Sequence, residues 1–136
     1  MALGKRDYGY AASSGSGSAG KSIFDTPDGV TLDQIQQGNG LSNTLFLSHL
    51  WMNPANYAGG DPTDLGWATK NNSRSINTVA KLDSEPSGST SHIGGPHPRA
   101  LPSLFADGSV RPVPYNFANW NLLWAWDNSQ SFAAPK

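Results

Sequence analysis

Three observations predict a β-rich α+β domain, with an antiparallel sheet, long irregular loops and a short C-terminal helix. Asp107-Gly108 lies between two apolar runs, a strong short-range hairpin signal. Short candidate strands alternate with segments rich in Gly, Pro, Asn and Ser, which read as loops. Near the C-terminus, Phe117, Trp120, Leu123 and Trp124 recur at helical three- and four-residue spacing. The length of 136 residues fits one domain spanning 1–136.

The elements follow in chain order. Residues 13–20 form a Ser/Gly/Ala run and read as a flexible loop. Thr31 is a helix N-cap, and the apolar positions of residues 31–35 predict a short helical turn. Residues 44–50 are mostly apolar and predict a buried strand. Residues 52–66 read as loop, 73–80 as a weak strand and 83–96 as loop with two Gly-containing turns. Residues 100–106 and 109–113 are the two arms of the hairpin. Its turn is expected to be a two-residue primed turn with positive φ at both central residues. Pro102, Pro112 and Pro114 place these arms at a sheet edge. Residues 117–126 predict a helix capped by Asn116.

Composition narrows the function. The net charge of −1 gives no electrostatic case for nucleic acid or an anionic membrane surface. Charged residues are 14% of the chain, against about 25% in an average domain. The polar bulk is Ser, Asn, Thr and Gly, as in exported surface proteins. Without cysteine there is neither a disulfide framework nor a thiolate metal site. Five Trp, five Phe and four Tyr supply large buried areas in compensation. No stretch approaches the roughly 20 apolar residues of a membrane span, and no apolar signal region follows Met1.

Candidate chemistry is sparse. His49, His92, His97 and Asp107 with Ser42, Ser48 and Ser109 are the residue types of a triad, but no Gly-x-Ser-x-Gly context holds a serine. Gly15 to Ser22 formally satisfies the phosphate-loop pattern. It lacks an apolar strand before it, and the chain breaks at Pro27 soon after it. His92 and His97 with Asp107 are the candidate transition-metal set, and would serve a metal-dependent hydrolase only on an open cavity. Asp61 and Asp64 in one loop, and Asp25, Asp28 and Asp33 in another, are the candidate oxygen ligands of a structural calcium. Trp120 and Trp124 read as core; Trp126 lies off their stripe and is the candidate exposed aromatic.

Four stretches in order resemble one family. Asp7-Tyr8-Gly9-Tyr10-Ala11 is similar to its "TDYAGN" segment. Gly38-Asn39-Gly40-Leu41-Ser42-Asn43-Thr44-Leu45-Phe46-Leu47-Ser48 is similar to its "DGTSNTLLLGE" segment. Trp51-Met52-Asn53-Pro54-Ala55-Asn56-Tyr57, followed by an acidic Gly-rich stretch and Gly66-Trp67, is similar to its "KYLNPDNY" segment. His97, with Asp107-Gly108 after nine intervening residues, carries the spacing itself. The chain thus resembles the H-X9-DG prepilin-type, pseudopilin-like proteins, whose domain has no assigned function. It differs in having Arg99-Ala100 where the family has a glycine pair after the histidine, and His49 or a neighbour where the family has an acidic residue.

The resemblance implies the C-terminal globular head of a bacterial cell-surface protein. The family's cleaved leader and long apolar N-terminal helix have no counterpart here, so the chain is expected to be the head alone. It implies a non-catalytic assembly role, with no cofactor beyond a structural calcium of the kind some pseudopilins use. It also implies homo-oligomer or filament partners, and membrane contact only through the N-terminal helix. His97, Asp107 and Gly108 are expected to shape the head, and Ser42, Asn43 and Thr44 to anchor a loop to a strand by side-chain-to-backbone bonds. The alternative is an extracellular carbohydrate-binding module using exposed aromatics.

Overall fold

The computed structural model describes residues 8–12, 20–58, 73–75, 79–85 and 92–136. Strand β1 is Tyr8–Ala12, β2 Leu45–His49, β3 Ser73–Ser75, β4 Lys81–Leu82, β5 Gly94–Gly95, β6 Ala100–Phe105 and β7 Val110–Pro114. Helix α1 is Leu32–Gln37 and α2 is Trp120–Leu123. The main sheet runs β3-β1-β2-β6-β7. Its four strands β1, β2, β6 and β7 are antiparallel, and β3 joins β1 in parallel. The pair β4–β5 forms a small parallel sheet. The fold is α+β and sheet-rich, as the sequence predicts.

The hairpin is the organising element. In β6 burial alternates strictly: Leu101, Ser103 and Phe105 face the core, while Ala100, Pro102 and Leu104 face away. The turn itself differs from the expectation. Gly108 has φ +81, but no described non-glycine residue has positive φ, so Asp107 does not enter the left-handed region. Gly108 N–H donates to Phe105 O, and Phe105 N–H donates to Ser109 O. This is a three-residue connection closed by a left-handed glycine, which bends the strands as well as a primed turn does and asks positive φ of glycine alone.

The prolines divide. Pro112 and Pro114 lie on β7, the free edge, where a missing N–H costs nothing. Pro102 lies on the inner strand β6, contrary to the edge reading. It sits one residue past Ser103, the last β6 residue in register with β2, so no ladder bond is lost there.

Helix α1 begins where expected. Thr31 Oγ1 accepts from Gln34 N–H while Gln34 Oε1 accepts from Thr31 N–H, a reciprocal box that satisfies two orphan donors. The C-terminal helix is shorter than predicted and starts later. Asn119, not Asn116, is its N-terminal residue, and it makes no side-chain cap. The helix ends at Leu123 because other segments claim the following backbone. Trp126 N–H donates to Lys21 O, Trp126 O accepts from Asn39 N–H, and Leu122 O accepts from Asn39 Nδ2.

The core lies between the inner face of the sheet and α2. Trp120, Leu123 and Trp124 pack with Leu45, Ile93, Leu101, Phe105 and Val113, all at most 2% exposed. Two buried hydroxyls on this face pair with each other: Ser48 and Ser103, in register across β2 and β6, share a hydrogen bond of 3.0 Å. The tryptophan reading as core therefore holds for Trp120 and Trp124. Trp126 is half-buried, and its Nε1 donates to Thr26 Oγ1 at 3.2 Å.

Candidate functional site

The residues of the family-like signature fall at two ends of one hairpin. Asp107 and Gly108 form the tip, and His97 precedes β6 at its base. A six-residue strand spans about 20 Å, so Asp107 and His97 are not partners.

At the tip, Asp107 Oδ1 accepts from Ser109 N–H at 2.9 Å and from Ser109 Oγ at 2.6 Å. The Ser109 hydroxyl, more than the Ser109 N–H or the Arg111 charge, holds the Asp107 carboxyl below the usual carboxylate range, against a smaller opposing effect of burial. A carboxyl depressed in the folded state adds stability above its unfolded pKa, and that stability is lost as pH falls through the folded value. Asp107→Asn is therefore expected to melt below the parent at neutral pH, with the gap closing below about pH 4. Melting curves from pH 7 to pH 2 check this; a gap constant with pH would contradict it.

Next to the tip, Arg111 joins three segments. Its Nη2 donates to Ser42 O and its Nη1 to Pro135 O at 3.1 Å, and its guanidinium lies 3.7 Å from the centroid of Phe105. Thr44 Oγ1 donates to Gly40 O at 2.9 Å, and Asn43 Oδ1 accepts from Ala134 N–H at 3.1 Å. Ser42 takes part through its carbonyl, and its side chain is exposed. Sequence reasoning named Ser42, Asn43 and Thr44 but missed that Arg111 and residues 134–135 are what they hold. Those contacts span 69 and 91 positions, which no local pattern encodes.

At the base, His97 faces His49 across the end of β2. The two Nε2 atoms are 3.5 Å apart, and Tyr8 packs on His49 with ring centroids 4.2 Å apart. The candidate set His92, His97 and Asp107 does not converge, because Asp107 is at the far end of the hairpin. Among the described residues no three His, Asp or Glu gather as a metal-holding group. Asp61 and Asp64 lie outside the described residues. The residues of the phosphate-loop pattern that are described lead into a single 3-10 turn, Ile23–Asp25, capped by Ser22 Oγ, and not into a helix.

The outer face of the sheet, away from the core, carries a shallow groove of about 340 Å³ lined by Tyr8, Leu47, Pro102, Leu104 and Val110. Val110 is 66% exposed and Tyr8 45%. Among the described residues, no charged side chain lines it. Among the described residues, no helix is long and apolar enough to cross a membrane.

No family model, no curated protein and no solved structure matches this chain.

Proposed function

We propose that this chain is a non-catalytic structural subunit, the head of a surface assembly of the prepilin-like kind, whose partner is a second copy of itself. The observation that carries the reading is how the signature spends its polar groups. Asp107 is bonded to Ser109, Thr44 to Gly40 and Asn43 to Ala134, while Arg111 bonds Ser42 and Pro135. Groups engaged in shaping a hairpin serve a scaffold.

The apolar groove supports the same reading. A net charge of −1 leaves little repulsion between copies, and an uncharged groove on a sheet face suits an uncharged partner surface. Pro112 and Pro114 blunt the β7 edge, so pairing by face is favoured over pairing by edge. Surface localisation and filament membership belong to this proposal, as does the absence of catalysis. The carbohydrate alternative is the weaker one: Trp51, Trp120 and Trp124 are buried, and Trp51 and Trp120 donate to the carbonyls of Leu82 and Pro114.

Light scattering over a concentration series, with chelator present throughout, tests the proposal. The expected result is a mass that rises with concentration in the parent and stays monomeric in Val110→Glu. A parent that is monomeric at every concentration would overturn it.

A further inference from the structure

We propose that His49 and His97 form a binding site for a divalent transition-metal ion of the zinc and copper class. Their Nε2 atoms are 3.5 Å apart while the ring centroids are 5.0 Å apart, so the two nitrogens are turned toward each other. At that distance they make a poor hydrogen bond, which prefers about 2.7–3.2 Å. The same distance suits a shared ion. Two nitrogens each about 2.05 Å from one ion, at this separation, subtend about 117° there, close to tetrahedral.

The pair is held in place before any ion arrives. His49 ends β2 and lies opposite Tyr8 in the β1–β2 register, with the Tyr8 ring against it. His97 is fixed between Pro96 and Pro98, which restrict the backbone on both sides. Gly95 closes the floor: a Cβ there would stand 3.4 Å from His49 Cβ and 3.5 Å from His97 Cδ2. Both imidazoles are half-buried, leaving an approach from solvent.

The donor set selects the ion. Imidazole suits zinc, copper and nickel, whereas calcium requires several oxygen ligands. Two protein nitrogens leave the remaining positions to water or to a donor from outside, so the ion is exchangeable and not structural. This pair shares His97 with the candidate set of His92, His97 and Asp107, and takes its second histidine, His49, from β2.

Calorimetric titration of the intact chain with zinc chloride, and separately with calcium chloride, tests the site. One zinc per chain is expected, and any calcium heat should be the same in the double His49→Ala/His97→Ala variant. His49→Ala and His97→Ala should each weaken zinc binding at least tenfold, and His92→Ala should leave it unchanged. Imidazole nitrogen resonances in the unaltered protein give a second readout that does not depend on a variant folding: zinc should shift the Nε2 signals of both residues. Absence of zinc binding, or equal zinc binding in the double His49→Ala/His97→Ala variant, would overturn the proposal. Since self-association is measured in chelator, failure here leaves the assembly reading standing.

Discussion

Trp120→Ala is expected to lower the free energy of unfolding by about 3–5 kcal/mol. Trp120 is 1% exposed and packs α2 against the inner sheet face, so truncation opens a large cavity among residues with little freedom to collapse. It also removes the indole donor that Pro114 O accepts at 3.0 Å, at the end of β7. For a domain whose whole stability is of order 5–15 kcal/mol, this is a large share. Urea unfolding followed by circular dichroism measures it; a loss under about 1 kcal/mol would contradict the placement of α2. Trp124 gives an internal comparison. It is equally buried, but among the described residues its indole N–H has no hydrogen-bond partner, so Trp124→Phe should cost less than Trp120→Phe.

Asp83→Ala is expected to cost about 2–4 kcal/mol by the same measurement. Asp83 is 3% exposed, and its two oxygens accept from Met52 N–H at 3.0 Å and from Tyr57 O–H at 2.7 Å. Removing the carboxylate leaves the Met52 donor without that acceptor in a part-buried site. Desolvation, then the hydrogen bond to Asp83 and the Asp83 charge, push Tyr57 up to about 12. A raised phenol contributes stability that is complete below its unfolded pKa near 10 and is lost as pH rises through the folded value. The Asp83 charge also raises Tyr115, to about 12, after burial, so absorbance titration of tyrosinate should show both Tyr57 and Tyr115 moving to lower pKa in Asp83→Asn, and the variant should lose less stability than the parent between pH 10 and about pH 12. An unchanged tyrosine titration would contradict the Tyr57–Asp83 bond.

What the sequence disclosed was local. The cap at Thr31, the strand at 44–50 and the Asp107-Gly108 hairpin each depend on residues within a few positions, and each is present. Long-range pairings left no such trace. β1 reads Tyr-Gly-Tyr-Ala-Ala, with no apolar run, yet it lies between β2 and β3. Gly94-Gly95 has no side chains to form a pattern, and becomes a strand because β4 approaches closely enough to pair with it. The C-terminal stripe gave the right buried residues and the wrong helix length. Side-chain spacing reports which face is apolar, whereas helix length is set by which backbone groups neighbouring segments claim. His97 was singled out from spacing, but its partner His49, 48 positions away, became visible only when β2 and the base of the hairpin were brought together.

Placing one thiol on the outer sheet face tests the proposal that two copies meet there. The chain has no cysteine, so Val110→Cys introduces a single reporter, and Gln36→Cys on the exposed side of α1 serves as control. Under mild oxidation, disulfide-linked dimers of Val110→Cys are expected to form well ahead of those of Gln36→Cys. Equal rates for the two positions would contradict it.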